Sequence, residues 1–263
     1  DTRQCSVFHY QSVCHLIDAA ASSAHHTQHS CTVYANPSAK SRIEFHKKLS
    51  TKFQGVWVMS DDEDASKSNL VCNGQTQQWQ ASGVEWTKEG AKFDGTSSKM
   101  TLENVNFGDL SLGLTWLLRL KRQPSSTQAF LENFDCDSAT SGAHLFEHPA
   151  SNKIFFGSSR QFTPTKSITS TAIMTSDPNQ FVNIGITAVP ASELYNLYHN
   201  GGFVTNVTSD SHDWGTTNPQ LSCFSLGHRI PSQHLLTGTV RAVGIANFSL
   251  TEAEISRFFD LVK

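Results

Sequence analysis

Through most of the chain, hydrophobic residues recur at every second position in short runs. Clusters of Gly, Asn, Asp and Ser separate these runs at the spacing typical of a β-sandwich or barrel. In "LGLTWLLRLKR", Trp116, Leu118 and Leu120 fall on one face of a strand, whereas Arg119 and Lys121 fall on the other. The pattern predicts an all-β fold with two antiparallel sheets.

Other runs predict a strand and two turns. The strand is "QFVNIGITAV"; its predicted inward residues are Val182, Ile184, Ile186 and Ala188, and its predicted outward residues are Asn183, Gly185 and Thr187. In "ELYNLYHNGGFVTN", Asn200-Gly201 or Gly201-Gly202 supplies the positive φ that a tight hairpin requires. Asp94-Gly95 predicts a further turn between two short strands.

The end of the chain, "TVRAVGIANFSLTEAEISRFFDLVK", begins with strand alternation and then changes period. Two residue pairs have capping-box spacing, Ser249 with Glu252 and Thr251 with Glu254. The hydrophobic residues that follow at helical intervals are Ile255, Phe258, Phe259 and Val262. We therefore expect one short amphipathic helix packed against the sandwich.

Residues 1–50 differ from the rest of the chain. They hold three of the six cysteines and six of the twelve histidines, and their alternation is poor. "VFHYQSVCHLIDAAA" predicts a helix, and the polar run "SSAHHTQHS" follows it. We interpret 1–50 as a Cys/His-rich N-terminal extension or the end of a preceding module, and 51–263 as the β domain.

Composition and charge exclude several functions. The 263 residues are 38% hydrophobic and carry a net charge of −3, and all-β sandwiches of about 200–250 residues commonly form one domain. The sequence has no basic stripe that would indicate nucleic-acid binding. It also has no apolar run that approaches the roughly 20 residues of a membrane span. No charged-then-apolar leader opens the sequence, so we expect a mature or excised piece.

The cysteines and sequons favour an extracellular or cell-surface location. No CxxC pair occurs among the six cysteines, which are Cys5, Cys14, Cys31, Cys72, Cys136 and Cys223. An even number without metal-site spacing favours disulfides in an oxidising compartment, although 15 pairings stay open. Asn206-Val-Thr and Asn247-Phe-Ser are N-glycosylation sequons, which agree with secretion.

Three longer motifs, in order, resemble one family. "GVEWTKEGAKFDGTSSKMTLE" resembles the opening of concanavalin A-like, laminin-G-like jelly-roll domains, where a Phe-Asp-Gly turn leads into a strand. "FVNIGITAVPASELYNLYHNGG" resembles their central strand and hairpin, which ends in Leu-Tyr-x-Asn-Gly. "LTGTVRAVGIANFSLTEAEISRFF" resembles their last strand and helix; the matching residues are Gly238, Asn247, Leu250, Thr251, Glu254 and Ile255.

This resemblance covers about residues 53–263 and implies a two-sheet jelly-roll sandwich with a short C-terminal helix. The family includes lectins, adhesion modules and glycoside hydrolases, so the fold does not fix the function.

Glycoside hydrolysis is the enzymatic hypothesis worth testing. It requires two carboxylates about 5 Å or 6.5–9.5 Å apart. In "LENFDCD", Asp135 and Asp137 share a face of a strand, but Glu132 points the other way unless a bulge intervenes. We therefore expect a protein that is not an enzyme.

Metal binding is a second hypothesis. Calcium requires six to eight oxygen ligands, and Asp135 with Asp137 is the candidate pair. The loop "SDDEDASKSN" also offers oxygens but lacks the Gly and the distal Glu of an EF-hand; its candidates are Asp61, Asp62, Asp64 and Ser66. Zinc or copper ligands in "HHTQHSC" would be His25, His26, His29 and Cys31, but in an oxidising compartment a disulfide explains Cys31 better.

The polar loop "TSDSHDWGTTNPQ" is the candidate recognition site. Trp214 lies in its middle beside His212 and Asp213. An aromatic face stacks on the apolar side of a sugar while carboxylates accept hydrogen bonds from its hydroxyls. The alternative is that Trp214 folds back over the sandwich, because large aromatic residues are usually buried.

The sequence therefore predicts a secreted, non-enzymatic domain that recognises a glycan or an extracellular protein, with calcium as a candidate cofactor. The alternative from another class is a self-assembling structural subunit of an extracellular coat or filament. The remaining tryptophans are predicted to belong to the core; they are Trp57, Trp79, Trp86 and Trp116.

Overall fold

The structure is a computed structural model. It describes residues 12–16, 29–33, 52–71, 77–103, 105, 113–123, 127–134, 141–148, 153–160, 163–173, 177–189, 194–208, 223–229 and 234–263. The first strands are β1 (Ser12–Leu16), β2 (His29–Val33), β3 (Phe53–Val58), β4 (Gln80–Ser82), β5 (Glu85–Thr87), β6 (Gly90–Asp94), β7 (Lys99–Leu102), β8 (Leu114–Arg122) and β9 (Ala129–Phe134). The later strands are β10 (Ser141–His148), β11 (Lys153–Arg160), β12 (Thr163–Ile173), β13 (Val182–Val189), β14 (Leu194–His199), β15 (Gly202–Thr208), β16 (Cys223–Leu226) and β17 (Thr237–Ala246). The helices are α1 (Glu63–Lys67) and α2 (Glu252–Leu261).

Two antiparallel sheets form the body of the fold. The seven-stranded sheet has the order β12-β11-β10-β9-β16-β7-β4, and the eight-stranded sheet has the order β15-β14-β13-β8-β17-β6-β5, with β3 also paired to β17. The predicted all-β jelly-roll sandwich with a short C-terminal helix is thereby confirmed. Among the described residues, neither helix has the length and apolar character that crossing a membrane requires.

The main core lies between the two sheets. Trp116 of β8 packs edge-on against Phe156 and Phe224, both of the opposite sheet, with ring centroids 5.6 Å away in each case. Trp57 and Trp79 form a second edge-to-face pair at 5.5 Å. The predicted core positions of these three tryptophans are therefore confirmed. Trp86 is partly buried and packs against the same cluster.

The predicted alternation of β13 is confirmed, because its four predicted inward residues are all buried in this core. Thr187 points to the outer face, as expected, yet it is fully buried. A Cβ at Gly185 would touch Leu117, Tyr198 and Ile255. The outer face of the eight-stranded sheet is thus covered around Gly185 and Thr187.

Helix α2 provides that cover. Ile255, Phe258 and Phe259 are buried on it, and Phe258 stacks on Phe53 of β3 with centroids 5.5 Å apart. The second of the two predicted capping boxes is the one that forms: Thr251 accepts a hydrogen bond from the Glu254 backbone, and the Glu254 side chain accepts one from the Thr251 backbone.

Both predicted turns form. Asn200 (φ 53°) and Gly201 (φ 87°) connect β14 to β15 as a hairpin. The turn at Asp94 and Gly95 instead carries the chain from one sheet to the other, since β6 and β7 belong to different sheets. Asp94 Oδ1 accepts N–H bonds from the three residues 96–98, which holds the pKa of this carboxyl well below its usual range.

The described part of the N-terminal extension corrects one prediction. A helix was expected across this stretch, but residues 12–16 form β1, which pairs antiparallel with β2. Val13, Thr32 and Val33 are β-branched and favour extended backbone, and the pairing satisfies backbone groups that a lone strand would leave unpaired. Cys14 and Cys31 are Cα partners in this pairing.

Candidate functional site on the outer face of the seven-stranded sheet

The predicted recognition and metal residues fall outside the described part of the chain. These residues are Trp214, His212, Asp213, Asp135 and Asp137. Their sites stay predictions, but the strands from which their segments start and end are described. Asp135 directly follows Phe134, the last residue of β9, and residues 209–222 lead into Cys223, the first residue of β16.

The ends of those two segments meet in the sheet. Cys223 and Phe134 are Cα partners, and Phe134 is also the Cα partner of Ser141, with which β10 begins. The segment with Asp135 and the segment with Trp214 therefore join the seven-stranded sheet at adjacent positions on one end. Sequence alone does not place them together, because β9 and β16 are far apart along the chain.

A polar row crosses the outer face of the same sheet. Leu131, Leu145 and Leu226 are register partners in the core. Glu132, His144 and Ser225, the next residues on their strands, are also register partners. Because successive side chains of a strand point to opposite faces, this second set faces away from the core.

Glu132, His144 and Arg229 form a polar cluster at the centre of this row. The Glu132 side chain has no solvent exposure, and its Oε1 lies 3.9 Å from Nε of Arg229, which is itself 25% exposed. His144 is also buried. Burial, together with the positive charges of Arg229 and His234, lowers the pKa of His144 to about 4. The imidazole is therefore neutral at physiological pH.

Residues after β16 are tied to the same region of the sheet. The backbone carbonyl of His234 accepts a hydrogen bond from the N–H of Ala129, which begins β9. Ser225 Oγ donates to the carbonyl of His228. Burial lowers the pKa of His228 to about 4 as well. These contacts position Arg229 next to Glu132.

Two phenylalanines extend the cluster towards the sheet edge. Phe146 and Phe155 are register partners on β10 and β11, with ring centroids 4.5 Å apart. The His144 ring lies 5.2 Å from Phe146 and is nearly parallel to Phe155 at 6.4 Å. Both phenylalanines are half-buried. Ionic, imidazole and aromatic groups thus lie side by side, which is the combination that contacts sugars and polar peptide groups.

Sequence reasoning considered Glu132 only as a catalytic carboxylate and missed His144, Arg229, Phe146 and Phe155. Their signal is present in part, since Glu132 and His144 are polar residues inside otherwise hydrophobic strand runs. Arg229 follows β16 closely in sequence but carries no local sign of pairing with β9. Only the strand order brings it to Glu132.

The acidic loop at Asp61–Asp64 has a structural role at its centre. Asp62 is the N-cap of α1, where its carboxylate accepts the N–H of Ala65 at 3.0 Å. Glu63 pairs with Lys67 one turn later. Within the described ranges, no group of three or more His, Cys, Asp or Glu side chains is placed to hold a metal ion.

The described sequon asparagines and cysteine differ in exposure. Asn206 is exposed on β15, whereas Asn247 is half-buried after β17. Cys223 is buried and disulfide-bonded. The sulfur atoms of the other five cysteines lie outside the described side chains, so the predicted pairings stay open.

No protein-family model and no curated protein matches the chain. Solved structures do match its fold. One is a structure of botulinum neurotoxin type C, a toxin whose cell entry depends upon interaction with two ganglioside molecules. It superposes with a TM-score of 0.61 at 9% identity, over 82% of this chain and 53% of that one. The binding domain of botulinum neurotoxin DC in complex with rat synaptotagmin II gives a TM-score of 0.61 at 10% identity, over 82% of this chain and 52% of that one.

The botulinum neurotoxin serotype D binding domain is similar to the same extent, with a TM-score of 0.60 at 11% identity over 80% of this chain and 52% of that one. This chain spans about half the length of these neighbours. At such identities the likeness concerns the fold alone.

Proposed function

We propose that this protein is a non-enzymatic extracellular recognition domain of the laminin-G-like type, which binds a glycan or a protein partner. The observation that carries the proposal is the meeting of Phe134 and Cys223 in the seven-stranded sheet. It brings the start of the segment with Asp135 and Asp137 beside the end of the segment with Trp214. The ligand site lies at this end of the sheet.

The outer faces of the two sheets differ, and the difference supports a ligand site on the seven-stranded sheet. The outer face of the eight-stranded sheet is occupied by α2. The outer face of the seven-stranded sheet carries the cluster of Glu132, His144 and Arg229 with two half-buried phenylalanines. Loops at the end of a sandwich commonly carry recognition residues. The ganglioside and synaptotagmin interactions of the neighbouring toxins agree with a recognition role for this fold.

In the proposal, Trp214 stacks on the ligand, and His212 and Asp213 make hydrogen bonds to it. Asp135 and Asp137 are the candidate calcium ligands, so binding through them would be lost on chelation. Glu132 holds Arg229 in place rather than attacking a substrate, since the ion pair and the complete burial of its carboxylate occupy it.

A glycan array tests the proposal directly. The oxidised protein is applied with and without calcium, beside Trp214→Ala and beside Phe203→Ala, which removes an exposed aromatic ring from the other sheet. We expect binding by the wild type and by Phe203→Ala, and loss of at least tenfold in Trp214→Ala, the effect of about 1.4 kcal/mol.

Other outcomes would redirect the assignment. Binding to cells that survives removal of their surface glycans would identify a protein partner. Absence of binding, together with a high-order oligomer in light scattering, would favour the structural subunit. Release of reducing ends that disappears in Glu132→Gln would establish a glycoside hydrolase and overturn the proposal.

A further inference from the structure

Phe203 is the large hydrophobic side chain that the described residues leave exposed, at 48%. It lies on β15, the terminal strand of the eight-stranded sheet. Its ring packs edge-on against Tyr198 with centroids 5.9 Å apart. Its backbone N–H donates to the carboxylate of Glu252 at the start of α2, at 3.2 Å. The ring is therefore held in place although nothing described covers it.

An irregularity in β15 places Phe203 and Asn206 on the same face of the sheet. Phe203 is the Cα partner of Tyr198, and Asn206 is the Cα partner of Asn196, with a register shift between the two pairs that leaves Val204 as the extra residue. Residues three apart on a regular strand point to opposite faces. Here the β14 partners of Phe203 and Asn206 are two residues apart and therefore point to the same face. Two strand positions correspond to a separation of about 7 Å between Phe203 and Asn206 along the strand.

Asn206 has the properties of a modification acceptor. It is exposed and opens the sequon Asn206-Val-Thr208, and its side chain makes no hydrogen bond among the described residues. We propose that Asn206 carries an N-linked glycan whose first sugar packs on the ring of Phe203. This inference rests on the extracellular location in the proposed function, but not on the ligand site proposed there.

The chemistry of the attachment is a glycosyl transfer from a lipid diphosphate-linked oligosaccharide. The side-chain nitrogen of Asn206 attacks the anomeric carbon of the first sugar and forms the N–C bond. The bond from that carbon to the phosphate oxygen breaks, the lipid diphosphate leaves with the electron pair, and the amide nitrogen loses a proton. The Asn-X-Thr sequence identifies the acceptor.

The reason for the packing is the apolar face of the sugar. One face of an N-acetylglucosamine ring presents C–H groups, and such a face stacks on an aromatic ring. A sugar attached to Asn206 reaches a ring two strand positions away. The stack would remove the exposed apolar surface of Phe203 from water.

The first test is occupancy. The chain is secreted from a eukaryotic cell line, and the peptide containing residue 206 is analysed by mass spectrometry before and after peptide-N-glycosidase treatment. We expect most molecules to carry a hexosamine-containing oligosaccharide on Asn206, and none in Thr208→Ala, which keeps the asparagine but removes the sequon. Secreted, folded protein with Asn206 unmodified would overturn the proposal.

The second test is the stack itself. An endoglycosidase trims the glycan to one N-acetylglucosamine, and the thermal midpoint is compared with that of the fully deglycosylated protein. We expect the single sugar to raise the midpoint by about 2–4 °C in the wild type, by a similar amount in Phe203→Tyr, and not in Phe203→Ala. An equal rise in Phe203→Ala would show that the sugar does not use this ring.

Asn247, the other sequon asparagine, is the internal control. It lies after β17, outside the β14–β15 hairpin that carries Phe203, so its occupancy is expected to be the same in Phe203→Ala as in the wild type. Repeating the glycan array with Asn206→Gln separates this inference from the proposed function. If Asn206→Gln still binds, the proposed ligand site does not depend on the glycan at Asn206. If the sugar does not stack on Phe203, the result of the array is unaffected.

Discussion

His144 and His228 are buried imidazoles whose neutral form is the one that the fold accommodates. Each has a pKa of about 4 because burial disfavours the charged ring, and nearby positive charges act in the same direction. For His144 these charges are Arg229 and His234, and Glu132 is its register partner on β9. The unfolded chain binds a proton at each histidine near pH 6.5.

This difference predicts acid sensitivity. A lowered folded-state pKa gives stability that is present above pH 6.5 and is lost as the pH falls through about 4. Between pH 7 and pH 4, the free energy of unfolding should fall further in the wild type than in His144→Gln. The difference between the two falls should be on the order of 1–3 kcal/mol. Urea denaturation at each pH measures this difference. The buried carboxyl of Glu147, whose pKa is raised to about 7, is present in both proteins, so its contribution cancels. Parallel pH profiles for the two proteins would contradict the prediction.

At the scale of single elements, α2 shows how a local signal and a tertiary contact act together. Its capping box is readable from the sequence, and its buried face is formed by Ile255, Phe258 and Phe259. This face is buried because β3, β8 and β17 contribute apolar residues to the outer surface beneath it. A ten-residue helix is marginal in water without such packing.

The cap should be measurable separately from the packing. Thr251→Ala removes the side chain that accepts the Glu254 N–H, and we expect a loss of about 1 kcal/mol in the free energy of unfolding. Thr251→Ser keeps the hydroxyl and should lose only a few tenths. Chemical denaturation of the three proteins decides the matter; equal stability of Thr251→Ala and the wild type would mean that the cap contributes nothing.

At the scale of the whole molecule, one ion pair connects the inner faces of the two sheets. Arg122 of β8 and Glu147 of β10 approach to 2.7 Å with side-chain exposures of 1% and 2%. Burial raises the pKa of Glu147 to about 7, although the charge of Arg122 opposes this shift. The pair is therefore a buried salt bridge between the two sheets and not a surface salt bridge.

Breaking this pair should be far worse than replacing it. Arg122→Met and Glu147→Leu are each expected to lower the free energy of unfolding by about 3–5 kcal/mol, whereas the double substitution should recover most of the loss, because no unpaired charge is left buried. The loss in Arg122→Met should be smaller near pH 5 than near pH 8, since Glu147 is protonated below its raised pKa. A double variant as unstable as the sum of the single ones would contradict this account.

The candidate site was predictable only in part. Alternation identifies Glu132 as a polar residue inside a strand, and the loop around Trp214 is visible as a long polar stretch. The contact between Glu132 and Arg229 depends on β16 inserting between β9 and β7. No pattern within a single strand encodes that neighbour, because strand pairing is a long-range contact.

By itself the sequence determined the inward residues of β8 and β13, the Asn200-Gly201 hairpin and the C-terminal helix, since side-chain period, positive φ and capping act over a few residues. Only the tertiary structure decided that the turn at Gly95 crosses between sheets, that α2 covers one outer face, and that Phe203 and Asn206 share a face. Sheet order and register depend on residues distant in sequence, and one extra residue in a strand reverses the face of every side chain that follows it.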